Sequence, residues 1–171
     1  MPKSKIVIRL LEKEDIPQIA MAFQTLGWDK PYSQYERYYT EQLSKIRDVY
    51  VAFIEGKFAG YLTICWTSSY EPFREEKTPE IVDFNVLPKY RRLGVGTQLM
   101  DKAEREILKV SPVAGIGVGM DPDYGPAQRL YVLRGYVPDG RGLHYQGHAV
   151  QYEEKITVDN SLALYLTKEL K

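Results

Sequence analysis

The residues best placed to do chemistry form one run, Ile81-Val82-Asp83-Phe84-Asn85-Val86-Leu87-Pro88-Lys89-Tyr90-Arg91-Arg92-Leu93-Gly94-Val95-Gly96-Thr97. A strand-like stretch closes at Pro88, which has no ladder donor, and leads through Lys89, Arg91 and Arg92 to two glycines where a helix can begin. Gly94 and Gly96 let the backbone come close to a ligand, and the unpaired amides and dipole of a helix start attract anions. A pyrophosphate suits this chemistry, although an exposed strand-to-helix turn with solvated arginines fits Gly-x-Gly equally. Two other phosphate signatures fail. A P-loop needs Gly-Lys-Ser/Thr, and Gly56-Lys57 is followed by Phe58. Gly115-Ile116-Gly117-Val118-Gly119 runs into Met120-Asp121-Pro122 instead of opening a helix, so its small residues read as aids to close packing.

Other reactive side chains carry less. Alternation over Ile81–Leu87 puts Val82, Phe84 and Val86 on one face and Asp83 and Asn85 on the other, a polar patch where a site could lie. Cys65 sits in the strand-like run Tyr61-Leu62-Thr63-Ile64-Cys65-Trp66 with no adjacent base, so it reads as a packed thiol. His144 and His148 flank the turn-rich segment Pro138–Tyr145 without metal-ligand company, and no metal is expected.

The elements that must position these residues follow from apolar spacing. Ile6–Leu11 reads as a strand, and Glu12–Gly27 as a helix with Ile16, Ile19, Ala20 and Phe23 on one stripe. A second helix is predicted over Ser33–Ile46. Asp48–Ile54 and Lys57–Trp66 are strands joined by Glu55-Gly56 as an antiparallel hairpin. Tyr70–Pro79 reads as a charged loop. A helix over Gly94–Val110 precedes a strand over Val113–Met120, a turn at Asp121–Gly125, a helix over Pro126–Arg134 and a last strand over Leu162–Leu170. Interleaved strands and helices with an early hairpin predict a mixed sheet.

Composition sets outer bounds. The 171 residues suit one domain spanning 1–171, and 44% hydrophobic content excludes disorder. The 23 basic and 23 acidic residues cancel, which argues against nucleic acid or an anionic membrane as a partner. No apolar run approaches a membrane span, and the N-terminus lacks a secretory signal. One cysteine excludes a disulfide scaffold, so a cytoplasmic location is expected. The zero hides a local excess: Lys89–Arg105 holds five basic and two acidic residues, 5 − 2 = +3.

Arg91-x-x-Gly94-x-Gly96 after Val86-Leu87-Pro88 resembles the signature of the GNAT superfamily, the acyl-CoA-dependent N-acyltransferases. Ala127-Gln128-Arg129-Leu130-Tyr131-Val132-Leu133-Arg134-Gly135-Tyr136 resembles its second hallmark, a tyrosine-bearing helix ending in Gly and an aromatic. The resemblance is strongest over Ile81–Tyr136. It implies an α/β fold of the α+β type: a single domain with a mixed, mostly antiparallel central sheet flanked by helices. A splayed strand pair would hold CoA. Amides around Arg91, Arg92, Leu93, Gly94, Val95, Gly96 and Thr97 would bind the pyrophosphate of acetyl-CoA, and the Val86 backbone would meet the acyl carbonyl. Tyr131 would protonate the leaving thiolate. Asp83, or else Glu80, would take the proton of the amine. Relatives often carry an asparagine where this chain has Tyr124, and Arg129 or Arg134 could meet the adenosine phosphate.

The implied reaction is direct transfer of an acetyl group to a primary amine, most simply of a small molecule. A non-catalytic acyl-CoA sensor and a protein N-terminal or lysine acetyltransferase are the competing readings. Trp28, Tyr32, Tyr35, Tyr38, Tyr39, Tyr70 and Phe73, with Glu36, Glu71, Glu75 and Glu76, could rim an acceptor site, although helix packing explains the tyrosines equally. A homodimer, supported by the aromatic C-terminal strand, is a further expectation.

Overall fold

Why Asp83 faces a polar cluster begins with the hairpin beside it. Strands β2 (Arg47–Ile54) and β3 (Lys57–Cys65) pair antiparallel across a turn in which Glu55 and Gly56 both take positive φ. Strand β1 (Ile6–Leu10) adds to β2, antiparallel. A computed structural model describes residues 4–171. Its remaining strands are β4 (Glu80–Val86), β5 (Val113–Gly119), β6 (Val137–Tyr145), β7 (His148–Ala149) and β8 (Leu162–Glu169). The hydrogen-bonded order is β1-β2-β3-β4-β5-β8-β6-β7, with β4 and β5 parallel and the β1–β2, β2–β3, β5–β8, β6–β8 and β6–β7 pairs antiparallel. The mixed, mostly antiparallel sheet is the one the sequence predicts.

The residues cluster into two compact units. The first holds the described residues up to Trp66 together with Val82–Glu106. Here Ile16, Ile19 and Phe23, spaced by three and four on α1 (Ile16–Thr25), are fully buried. They pack with Tyr35 and Tyr38 of α2 (Tyr32–Leu43) and with Val49, Val51, Phe58 and Tyr61. The predicted helix from Glu12 starts as a tight 3-10 turn, Lys13–Asp15, because Asp15 accepts from the Glu12 N–H at 2.9 Å and from both Arg9 nitrogens at 2.7 and 2.8 Å. Gly27, at φ +70, ends α1 and opens the loop that carries Trp28 and Lys30 to α2. Helix α4 (Val95–Leu108) presents Val95, Leu99, Ala103 and Ile107 as its buried stripe.

The second unit holds Thr67–Ile81 and Ile107–Lys171. Two expectations fail there. Tyr70–Pro79 is not all loop: α3 (Glu71–Glu76) forms, with Pro72 in its first turn, Phe73 fully buried and Lys77 ending it at φ +55. Pro138–Tyr145 is not a turn but most of β6. Its glycines, Gly140 and Gly142 at φ +84 and +70, sit within a register shift against β8 between Pro138 and Leu143, a bulge and not a reversal. Strand β8 lies between β5 and β6, so both its edges are paired and it offers no free edge to a second copy. Helix α5 (Gly125–Leu133) completes the unit.

Candidate active site

Strand β4 is bent at Asp83, whose φ of +58 is left-handed in an otherwise extended run. The neighbouring strand is built for this. A Cβ at Gly60 of β3 would stand 2.6 Å from the Asn85 carbonyl oxygen and 3.1 Å from the Val86 Cα, so only glycine admits the approach. Past the bend, the Leu87 N–H donates to the Ala59 carbonyl at 2.9 Å.

The bend delivers the Asp83 carboxylate to five donors. Lys30 Nζ and Asn85 Nδ2 both reach Oδ1 at 2.8 Å, while Tyr38 OH at 2.9 Å, Gln34 Nε2 at 3.1 Å and the Tyr61 hydroxyl donate to Oδ2. Tyr35 donates to the Tyr61 hydroxyl at 3.3 Å. Burial by itself would raise the Asp83 carboxyl, but the Lys30 charge and the donors from Lys30, Tyr61 and Tyr38 outweigh it and hold the group below its ordinary 3.8. The surrounding phenols move the other way. Burial, and then the Asp83 charge, push Tyr61 and Tyr38 well above the usual tyrosine range. At neutral pH the Asp83 carboxyl is therefore ionised and the phenols of Tyr35, Tyr38 and Tyr61 are neutral.

At the head of α4 the chain turns through Arg92 at φ +63 and Gly94 at φ +89. Arg91, Arg92, Leu93, Gly94 and Thr97 are exposed, and buried Val95 anchors the turn. The Gln98 N–H bonds the Gly94 carbonyl at 3.0 Å, and amides ahead of it in the first turn have no intrahelical acceptor. Left-handed residues beside such amides form an anion-binding concavity. Gly96 keeps the helix close to β4, since a Cβ there would meet the Phe84 ring at 3.1 Å. Arg91 Nε donates to the Val86 carbonyl at 3.3 Å. The donor set fits the pyrophosphate of a CoA ester.

Tyr131, Glu80, Tyr124 and Tyr70 lie in the second unit. Tyr131 is 5% exposed on α5; burial, and secondarily Tyr124, raise its hydroxyl well above the usual range. Tyr124 lays its ring on Gly119, in space that a Cβ there would fill, and donates to Asn160 Oδ1 at 3.4 Å. Glu80 is buried and accepts from Ser68 Oγ at 2.6 Å. Parallel pairing of β4 with β5 covers Glu80↔Gly115 and Ile81↔Ile116. Tyr70 stacks on Tyr165 at 3.6 Å and donates to Asp139 at 2.7 Å, and burial, then Glu80 and Asp139, push Tyr165 up to about 12. Arg141 pairs with Glu76 at 2.6 Å.

The structure thus joins Asp83 to partners that sequence reasoning missed: Lys30, Gln34 and Tyr61 stand 53, 49 and 22 residues away. A signal existed in the excess of tyrosine over phenylalanine, 14 against 5, since a buried phenol needs a polar partner. Tyr35 and Tyr38 are core residues and not a rim, contributing hydroxyls alone to the cluster. Cys65 is half-buried at the end of β3. His148 pairs with Glu154 at 2.8 Å, and His144 packs edge-on against Tyr70. Among the described residues no group of three or more His, Cys, Asp or Glu could hold a metal ion, and no helix is long and apolar enough to cross a membrane.

Residues 14–136 match the acetyltransferase (GNAT) family. The chain belongs to that family. An uncharacterized N-acetyltransferase of Archaeoglobus fulgidus is 36% identical over 86 residues, 49% of this chain and 58% of the relative, so the match spans little more than half the length of that protein. Two solved structures share the fold. An N-acetyltransferase from Staphylococcus aureus Mu50 superposes with a TM-score of 0.70 at 16% identity, covering 98% of this chain and all of the other. The yncA structure from Salmonella typhimurium, with its cofactor acetyl-CoA, gives 0.68 at 17% identity over 98% and 95% of the two chains.

Proposed function

We propose that the chain, acting as one catalytic domain, transfers the acetyl group of acetyl-CoA to a primary amine of a small molecule by direct attack in a ternary complex. The observation that carries this reading is the left-handed turn at Arg92 and Gly94, which opens the first-turn amides of α4 beside two exposed arginines. The amides of Arg91–Thr97 hold the pyrophosphate, and the bound ester supplies an acetyl carbonyl activated by its thiol leaving group. The Val86 backbone amide polarises that carbonyl.

Tyr131 is the proposed donor to the leaving group. Its raised pKa keeps the phenol protonated at neutral pH but leaves it a weaker acid than a thiol near ~8.5, so it steadies the departing thiolate as a hydrogen-bond donor while the proton released by the amine passes to solvent. Asp83 is the first candidate for relieving the amine of its proton and Glu80 the second. The depressed pKa of Asp83 suits a carboxylate that steadies a cation and passes a proton on to water, not one that retains it. A cytoplasmic setting belongs to the same reading, supported by a single half-buried cysteine.

The test is CoA release on mixing the protein with acetyl-CoA or longer acyl-CoAs and a panel of amines, amino-terminal peptides and lysine peptides. Release with a free amine, lowered roughly 100-fold in kcat by Tyr131→Phe, is the expected result. CoA binding with no release from any acceptor would replace this reading with that of an acyl-CoA sensor. Release with peptides alone would move the acceptor to proteins.

A further inference from the structure

The Asp83 cluster holds more than a structural ion pair requires. Lys30 Nζ lies 5.8 Å from the centres of both the Phe23 and the Tyr61 rings, so its ammonium has aromatic walls as well as a carboxylate. Those are the surroundings that recognise an alkylammonium. Asp83 is held at a left-handed φ inside a strand, a strained state that persists where the surroundings enforce it and that gathers at ligand sites. The hydroxyls of Tyr38 and Tyr61 converge on it, with Tyr35 behind Tyr61, which an apolar core does not need.

The cation in this cradle comes from neither flanking helix. Lys30 stands on the loop between α1 and α2, where Gly27 turns the chain and the Lys30 N–H bonds the Trp28 carbonyl at 2.9 Å. A lysine on such a loop can withdraw without unwinding a helix.

We infer that the Asp83 cradle is a binding site for a primary alkylammonium, filled by Lys30 in the free protein, and that a ligand with an amine on an unbranched aliphatic chain takes its place. The occupant defines the ligand. Nζ donates to Asp83 Oδ1 at 2.8 Å and to the Tyr61 hydroxyl at 3.2 Å, so the ligand needs at least two N–H groups on a compact cation. A quaternary ammonium lacks them, and a planar guanidinium has a different fork. As a statement about acceptors this rests on the proposed acetyl transfer, which it narrows to amines on unbranched chains; the binding itself does not depend on it.

The experiment titrates n-pentylammonium into wild-type protein, Lys30→Ala and Asp83→Asn by calorimetry, and follows the Lys30 side-chain ammonium signal of the wild type by proton–nitrogen NMR. Affinity at least ten-fold tighter in Lys30→Ala than in the wild type is expected, as is affinity at least ten-fold weaker in Asp83→Asn than in Lys30→Ala. Saturating n-pentylammonium is expected to abolish the ion-paired Lys30 signal, and tetramethylammonium to leave it in place. Equal affinity of wild type and Lys30→Ala, or affinity undiminished in Asp83→Asn, would overturn the inference. Should Lys30→Ala fail to fold, a Lys30 signal unmoved by n-pentylammonium overturns it alone. Neither readout requires acetyl transfer, so failure of the titration is distinguishable from failure of the CoA-release screen.

Discussion

Asp83 ties the stability of the first unit to pH. Its folded-state pKa lies below the ordinary 3.8, so its stabilising contribution is present in full above that value and is lost as pH falls through the lower folded pKa. Melting temperature measured from pH 6 down to about pH 2 is therefore expected to drop along an acid limb that is shallower in Asp83→Asn. At neutral pH the same variant strands the Lys30 charge, side chains 19% and 17% exposed, and is expected to cost up to about 3 kcal/mol in chemical denaturation. The motif strand named Asp83 and the second hallmark named Tyr131 from sequence. Lys30, Gln34 and Tyr61 were not legible, because their meeting depends on a backbone bend that no local pattern records.

At the scale of elements, the bend and its partner strand are one device. Gly60→Ala would drive a Cβ into the Asn85 carbonyl, backbone that cannot rotate aside, and is expected to destabilise by about 1–3 kcal/mol with a lowered denaturant midpoint. An unchanged midpoint would mean that β3 and β4 yield more easily than the close approach at Gly60 suggests. The hairpin and the helices with strong apolar stripes were legible because three-and-four or alternating spacing fixes a face. Helix α3 was not, since six residues with four charges carry one buried side chain, Phe73, whose ring packs where a Cβ on Gly115 would lie. Strand β6 was hidden by its glycines, which signal a turn in sequence and make a bulge in the sheet.

For the whole molecule, the balanced charge conceals a locally cationic turn ahead of α4. Of the five basic residues in Lys89–Arg105, Arg91 and Arg92 are exposed in the turn before α4, while Lys102 is committed to Glu106 at 2.7 Å. CoA affinity is therefore expected to fall several-fold between about 0.05 and 0.5 M salt as screening sets in, and Arg91→Ala with Arg92→Ala together should flatten that dependence. Calorimetric titration at several ionic strengths measures both. The family was legible from two motifs in fixed order, because the turn and the tyrosine helix are local. The Asp83 cluster was not, since it is assembled from residues 22 to 53 positions apart in the chain.

The loop that carries Lys30 also carries an optical reporter. Trp28 stacks on Phe23 at 5.7 Å, the same ring that the Lys30 ammonium overlies, and the chain has one other indole, Trp66. With Trp66→Phe, fluorescence comes from Trp28 alone. If the loop moves out with Lys30, the indole passes from an aromatic stack into water and its emission shifts to the red, so the occupancy of a half-buried carboxylate can be followed by colour in real time.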